Sequence, residues 1–332
     1  MRFFCNFLLV LFGVVFAFFA AEIIFRASPY CDSLQSYSFE NPFLDFGNIE
    51  AVRAAHGFGF ELIPNSHPII NSYGMFDKEY DTEKTDATFR MEVLGDSITA
   101  ELGGWTEILE ERLNRNSNLK YDNVEIWNTA LPGYGIRDYG LYWHSKGIRY
   151  KPDMLVIAFC LNDLDQPNIV VYKTKKGFLK YSFPYPDAEK YFNKYLFRTS
   201  AFYRFLLLRI QAIFASRISY QDAHYESAKG TLAAIGQSAR QHAIDIVAII
   251  LPYLDPPDEY KKTEQEQYNE IGNTLIDLNI KFLDLYQFFD RDELRNFRKS
   301  DTPHDFTHPS IKGHERYAEV IYNFLLTEGY LD

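Results

Sequence analysis

Three residue types that together can perform nucleophilic catalysis occur at defined places in this sequence. Ser97 lies in the stretch MEVLGDSITA, where an apolar run passes into a polar turn, and Asp305 and His308 lie together in DFTHP. A serine hydroxyl becomes a nucleophile when a histidine takes its proton, and a carboxylate on the other imidazole nitrogen fixes the tautomer of that histidine. We therefore predict Ser97 as a nucleophile, with a helix cap as the alternative role of this serine.

A second group of residues is suited to stabilise the negative charge that develops when a serine attacks a carbonyl. The tetrahedral intermediate needs hydrogen-bond donors at its oxyanion. The candidates are the backbone N–H of Ser97, the N–H of Gly133 in NTALPGYG and the side-chain amide of Asn162 in CLNDL. At Gly133 the missing side chain would let a substrate approach the backbone closely.

These polar residues follow segments that have the pattern of buried strands. Strands are predicted at 89–95, 123–130, 153–161, 244–252 and 280–285, and helices at 105–115, 135–148, 225–243, 264–279 and 310–326. Strands that alternate with helices and are apolar on both faces predict a parallel sheet covered by helices. Such sheets bind ligands at the carboxyl ends of their strands, which is where Ser97, Gly133 and Asn162 are expected.

Other polar residues near these positions are predicted to support the site. Asp96 and Asp163 are interpreted as anchors of their turns, and Asn128 as a brace of the loop that contains Gly133. The histidines at 304, 308 and 314 raise the alternative of a metal site. His314, however, falls on the apolar face of the last predicted helix, which favours a packed or hydrogen-bonded histidine, so we predict no metal site.

In order and spacing, these motifs resemble the four sequence blocks of the SGNH hydrolases, also called GDSL esterases. The blocks are Gly95-Asp96-Ser97, the glycine of residues 128–133, Asn162-Asp163, and Asp305-x-x-His308-Pro309. The resemblance covers roughly residues 88–328. It implies a flavodoxin-like three-layer α/β/α sandwich with a mostly parallel sheet of about five strands. It also implies hydrolysis of acyl esters without a cofactor, by a triad and an oxyanion hole formed from Ser97, His308, Asp305, Gly133 and Asn162.

One residue departs from the pattern of this family. Cys160 stands where the third block usually has a glycine. A side chain at this position would narrow the site or shift the loop that carries Asn162.

The N-terminal residues form an apolar segment. Residues 3–21 contain no charge, and the apolar run resumes after Glu22 as far as Phe25. About 20 such residues are enough for a helix to cross a bilayer, and no small-residue cleavage site stands out. We predict an uncleaved single-pass membrane anchor over residues 1–26, with a cleaved signal peptide as the alternative. The rest of the chain is predicted to be extracytoplasmic.

The remaining chain is predicted to form an irregular neck over 27–87 and a hydrolase domain over 88–332, with an insertion at 164–224. The N-terminal anchor, with NSYGMFDKEY (71–80) ahead of the first block, is similar to membrane-anchored bacterial members of the family. In the insertion, residues 198–218 are apolar nearly all round, which predicts a packed element or, alternatively, a lid or a membrane-facing helix. The net charge of −11 would repel a phosphate backbone, so no nucleic-acid partner is predicted.

Three classes of function are compatible with these features. The first is a serine esterase that acts on small acyl groups of cell-surface carbohydrate, or on lipid or lysophospholipid esters. The second is an O-acyltransferase with the same triad, in which a sugar hydroxyl replaces water. The third is a non-catalytic anchored scaffold, which the complete triad disfavours.

Overall fold

The computed structural model describes residues 2–27, 34–38, 52–55, 58–164, 168–174, 177–183, 194–203, 205–206, 220–299 and 305–332. The chain divides into two compact units. One unit comprises Met1–Ala54 and Pro167–Tyr220, and the other comprises Ala55–Gln166 and Gln221–Asp332. Residues 55–87, which were predicted as part of a neck, therefore belong to the second unit.

The strands, in chain order, are β1 (Leu34–Ser38), β2 (Val52–Ala55), β3 (Phe58–Leu62), β4 (Thr88–Leu94), β5 (Asn123–Asn128), β6 (Met154–Phe159), β7 (Asn168–Thr174), β8 (Gly177–Phe183), β9 (Asp245–Ile250) and β10 (Lys281–Asp284). The main α-helices are α1 (Arg2–Ala27), α2 (Trp105–Asn114), α3 (Ile136–Ser145), α4 (Lys194–Thr199), α5 (Tyr220–Gln241), α6 (Lys262–Asp277), α7 (Arg291–Asn296) and α8 (Ile311–Thr327).

Five parallel strands form the central sheet of the second unit, in the order β5-β4-β6-β9-β10. Numbered along the chain, this is the 2-1-3-4-5 order of flavodoxin-like folds. The order reverses between β4 and β6, and ligand sites form at the carboxyl ends of strands at such a switch point. The prediction of a mostly parallel sheet of about five strands is confirmed.

Helices cover both faces of this sheet. The chain steps from β4 to β5 in one direction and from β5 to β6 in the other, so right-handed crossovers place α2 and α3 on opposite faces. α2 packs against α8. α3 packs against α5, where Trp143 Nε1 donates to Ser238 Oγ at 3.1 Å. Every residue of β4 and β6 is buried, as expected for strands covered on both sides.

The first unit contains α1 and an antiparallel sheet in the order β1-β7-β8. Near the end of α1, the Glu22 carboxylate accepts hydrogen bonds from the backbone N–H of Ala201 at 3.0 Å and of Phe202 at 2.9 Å. It also accepts one from Ser200 Oγ at 2.6 Å. Glu22, which interrupts the apolar run in the sequence, thus caps a second helical segment. Most of the segment 198–218 lies outside the described residues.

The predicted transmembrane anchor is not confirmed by the structure. Across the part of the chain that the structure describes, no helix combines the length and the apolar character needed to cross a membrane.

A buried acid in the centre of the sheet leads to a prediction about stability. Glu92 on β4 is fully buried, and a side chain at Gly147 would collide with its carboxyl group. Burial raises the pKa of Glu92 from 4.5 to about 8. Below pH 4.5 the carboxyl is protonated in both the folded and the unfolded state. Between pH 4.5 and 8 only the unfolded state ionises, so Glu92 destabilises the fold increasingly as pH rises through this window.

We therefore expect Glu92→Gln to raise the free energy of unfolding at pH 7, relative to its effect at pH 4, by about 3 kcal/mol. Urea unfolding of both proteins at pH 4, 6 and 7 measures this difference. Glu111→Gln is the matched control, because Glu111 is exposed on α2. Parallel pH profiles for the wild type and Glu92→Gln would contradict the prediction.

Candidate active site

The side chains of Ser97, His308 and Asp305 form a continuous hydrogen-bonded row. His308 Nε2 lies 2.8 Å from Ser97 Oγ, and His308 Nδ1 lies 2.7 Å from Asp305 Oδ2. Ser97 follows β4 at its carboxyl end, and the other two residues lie in the loop that precedes α8. The structure thus brings together all three residues that were predicted to act with one another.

The turn after β4 leaves Ser97 partly exposed between buried neighbours. Asp96 Oδ1 accepts a hydrogen bond from the N–H of Ile98 at 2.9 Å, and the Asp96 carbonyl accepts from the N–H of Ala100 at 3.0 Å. Gly95 lies so close to Thr99 that a Cβ would collide with it. Ser97 is half-buried, whereas Asp96 and Ile98 are buried. Asp96 therefore holds the turn through both its carboxylate and its carbonyl.

The loop that carries Asp305 and His308 is held by the Asp305 carboxylate. Asp305 Oδ1 accepts from the backbone N–H of Thr307 at 2.9 Å and of His308 at 3.0 Å, and from Thr307 Oγ1 at 2.8 Å. Burial opposes ionisation here. The hydrogen bonds outweigh it and hold the pKa of Asp305 well below its usual range. Thr307 was not predicted from the sequence, although an aspartate that accepts from the backbone two residues further on is typical of an Asx turn.

The loop after β6 is bonded to the turn after β4 that carries Asp96 and Ser97, the nucleophile turn. Asn162 Nδ2 donates to Asp96 Oδ2 at 3.0 Å, which occupies one of its two hydrogens. Burial raises the pKa of Asp96, against the effect of this hydrogen bond. Asp163 is buried and accepts from the N–H of Cys160 at 2.8 Å and from Tyr139 OH at 2.9 Å, which ties the loop to α3.

Cys160 replaces a glycine without backbone strain. Its φ of −120° and ψ of 157° are extended values that any residue adopts, and its side chain is buried. The expected shift of the Asn162 loop is therefore not required by the backbone at this position.

The loop after β5 contains Asn128 and Gly133. Asn128 Nδ2 donates to the carbonyl of Thr99 at 2.8 Å and to Thr106 Oγ1 at 3.1 Å, so Asn128 braces this loop against the nucleophile turn and the start of α2. Gly133 has a φ of 90°, a left-handed conformation that favours glycine. The backbone conformation thus favours glycine here, in addition to the expected close approach of a substrate.

A second carboxylate–histidine pair lies beside the nucleophile turn. His314 is buried, its Nδ1 accepts from the N–H of Trp105 at 3.3 Å, and its Nε2 lies 3.4 Å from Glu101 Oε2. Lys299 Nζ lies 2.5 Å from Glu101 Oε1. Although burial opposes it, these contacts lower the pKa of Glu101 to about 2. A packed or hydrogen-bonded His314 was predicted from the sequence. Glu101 was not, because its partners are distant in sequence.

No group of His, Cys, Asp and Glu side chains among the described residues is arranged to hold a metal ion. His304 lies outside the described residues, so the structure places only His308 and His314 of the three histidines that suggested a metal site.

This arrangement is suited to acyl transfer through serine. An imidazole nitrogen that accepts from a serine hydroxyl, with an ionised carboxylate on the other nitrogen, activates the serine as a nucleophile. Hydrogen bonds join the loop after β5, which carries Gly133, and the loop after β6, which carries Asn162, to the turn that carries Ser97.

The chain matches one known protein family and is similar to several solved structures. Residues 93–316 match the family model described as the GDSL-like lipase/acylhydrolase family. None of the curated proteins matches the chain. Similar solved structures include a catalytic mutant of Axe2, an acetylxylan esterase from Geobacillus stearothermophilus. It is 15% identical, with 73% of this chain and 94% of that chain covered and a TM-score of 0.47. TesA is 16% identical, with 71% of this chain and 97% of the TesA chain covered and a TM-score of 0.45. The acetyl xylan esterase AlAXEase is 16% identical, with 71% of this chain and 100% of the AlAXEase chain covered and a TM-score of 0.44.

Proposed function

This chain belongs to the GDSL-like lipase/acylhydrolase family and is a hydrolase of ester bonds, and on that premise we propose that it is a serine esterase whose nucleophile is Ser97. The observation that carries the proposal is the row of contacts from Ser97 Oγ through the His308 imidazole to the Asp305 carboxylate.

In the first half of the reaction, Ser97 Oγ attacks the carbonyl carbon of the ester while His308 Nε2 takes the hydroxyl proton. The carbonyl oxygen becomes an oxyanion, which accepts hydrogen bonds from the N–H groups of Ser97 and Gly133 and from the side-chain amide of Asn162. Asp305 stabilises the imidazolium. The intermediate then collapses, the bond to the alcohol oxygen breaks, and His308 returns the proton to the departing alcohol.

In the second half, a water molecule attacks the acyl-enzyme while His308 Nε2 takes one of its protons. A second tetrahedral intermediate forms in the same oxyanion site. When it collapses, the carboxylic acid leaves and Ser97 Oγ recovers its proton from His308. The cycle consumes one water and needs neither a metal nor an organic cofactor.

We propose short acyl esters on cell-surface carbohydrate as the substrate. The test is hydrolysis of p-nitrophenyl acetate, butyrate and octanoate, acetylated oligosaccharides and a lysophospholipid by the full chain. A preference for acetyl over octanoyl together with acetate release from oligosaccharide supports the proposal. A preference for octanoate and lysophospholipid replaces it with a lipid esterase. Transfer of the acyl group to an added sugar in excess of hydrolysis replaces it with an acyltransferase.

We propose further that α1 attaches the enzyme to a membrane, with the catalytic unit on the extracytoplasmic side. The supporting observation is that apolar side chains of α1, among them Phe12, Phe16 and Ile24, are exposed, since exposed apolar surface of this extent favours a lipid environment. In a bacterial host, we expect the wild type in the membrane fraction and accessible to external protease. The double variant Phe12→Asp/Phe16→Asp should shift to the supernatant. Wild-type protein in the supernatant would contradict the attachment.

A further inference from the structure

The segment 71–80, NSYGMFDKEY, folds as a compact element that we name the clamp. Asn71 builds its turn, since Oδ1 accepts from the N–H groups of Tyr73 at 3.0 Å and Met75 at 2.9 Å. Gly74 has a φ of 76°, and a Cβ there would collide with the carbonyl of Leu62. The sequence pattern of the neck gave no period, because this segment is shaped by side-chain hydrogen bonds and not by a helix or a strand.

The clamp closes the outer edge of β5, which is the last strand on its side of the sheet. Asp77 Oδ2 accepts from the backbone N–H of Asn128 at 2.9 Å, and Tyr80 OH donates to the carbonyl of Ile126 at 2.7 Å. The N–H of Ile126 donates to Glu110 Oε2 of α2 at 2.6 Å. Backbone groups that would otherwise be unpaired at a sheet edge are thus bonded to side chains.

Of these contacts, the one made by Asp77 is connected to the candidate active site through Asn128. Asn128 is the final residue of β5, and the loop with Gly133 follows it. Its side chain donates to the carbonyl of Thr99 in the nucleophile turn, and its Oδ1 accepts from the N–H of Ala130 at 3.2 Å. Asn128 joins the loop with Gly133 to the nucleophile turn. The hydrogen bond from the Asn128 N–H to Asp77 therefore fixes the position of this joining residue.

We propose that Asp77 is a positioning residue for catalysis, which holds the Asn128 backbone so that the Gly133 loop and the Ser97 turn keep the spacing that an oxyanion requires. This inference rests on the proposed function. Asp77 acts through Asn128 and contacts no reacting atom. An oxyanion hole stabilises the transition state more than the bound ester, so a displaced loop lowers kcat and leaves KM nearly unchanged.

The test compares three variants of the full chain. Asp77→Ala removes the acceptor and leaves the N–H of Asn128 without its partner. Asp77→Asn keeps a carbonyl oxygen that accepts the same N–H. Glu79→Ala is the matched control, because Glu79 accepts from the N–H and Oγ of Ser72 at 2.7 and 2.6 Å and so stabilises the clamp without a bond to β5. For each variant, kcat and KM are measured together with the free energy of unfolding and the rate at which a fluorophosphonate probe labels Ser97.

For Asp77→Ala we expect at least a tenfold fall in kcat and in the labelling rate, with KM changed less than threefold. Asp77→Asn should recover most of the loss, and Glu79→Ala should keep kcat within twofold. Folded Asp77→Ala with kcat and labelling within twofold of the wild type would overturn the inference. Equal losses of activity in Asp77→Ala and Glu79→Ala, in step with their stability, would reduce the clamp to a structural element.

The probe also separates this inference from the proposed function. If the wild type hydrolyses no ester but Ser97 is labelled, ester hydrolysis fails, and the labelling rates of the variants still decide the role of Asp77. If Ser97 of the folded wild type is not labelled, the positioning role is overturned together with the nucleophile.

Discussion

Ser97→Ala is expected to lower kcat for ester hydrolysis by a factor of about 10⁶, because it removes the hydroxyl that we propose forms the acyl-enzyme. His308→Ala should cost about as much, since the hydroxyl then has no base. The double variant Ser97→Ala/His308→Ala should be no slower than either single variant, because the two residues act as one unit. Initial rates with the best p-nitrophenyl ester measure all three.

Ser145→Ala is the control for the serine replacement. Among the described residues, its hydroxyl bonds only to carbonyl oxygens of its own helix, the closer being that of Leu141 at 2.6 Å. We therefore expect kcat to stay within twofold of the wild type. Mass spectrometry after fluorophosphonate treatment should find the label on Ser97 and nowhere else. If folded Ser97→Ala retained more than a hundredth of wild-type kcat, another residue would have to be the nucleophile.

The second large effect is expected for Asp305→Asn, with a fall in kcat of about 10⁴-fold. Three donors converge on Asp305 Oδ1, namely the N–H groups of Thr307 and His308 and the Thr307 hydroxyl. In the asparagine variant these donors select the carbonyl oxygen for that position. The NH₂ group then faces His308 Nδ1 and donates to it, which places the imidazole proton on Nε2. That nitrogen can no longer accept the proton of Ser97.

A comparison with Asp305→Ala tests this argument. Alanine leaves the imidazole free to adopt either tautomer, so the isosteric asparagine should be at least as inactive as alanine. Asp290→Asn is the matched control, because Asp290 caps α7 by accepting from the N–H of Glu293, which asparagine also does. Asp305→Asn with more activity than Asp305→Ala would show that the tautomer is not what Asp305 controls.

The central sheet could be predicted from sequence because its inner strands β4 and β6 are buried on both faces and its helices have a regular apolar period. The helix predicted at 225–243 shows the limit of this approach, since α5 begins at Tyr220. The sequence YQDAH at 220–224 shows no apolar period that would indicate a helix. The clamp was interpreted as irregular neck for a similar reason, because Asn71 and Asp77 act through hydrogen bonds whose partners are distant in sequence.

The candidate site was predictable where one residue type implies another. Serine, histidine and aspartate imply one another chemically, and Asp305 and His308 are close enough in sequence to suggest a turn. Glu101 was not predictable, because its partners Lys299 and His314 are about 200 positions away and each is an ordinary surface or core residue alone. Sequence also gave no means to judge Cys160, whose extended backbone is visible only in the fold.

The distance between Ser97 and His308 along the chain has a consequence for folding. Asp305 and His308 form their pair within one turn, whereas Ser97 and His308 are 211 positions apart. The nucleophile therefore meets its base only after β4 has taken its place in the sheet and the loop before α8 has docked at its edge. During refolding, capture of Ser97 by a fluorophosphonate should begin later than the recovery of helical circular dichroism, so the chemistry of this serine reports when assembly is complete.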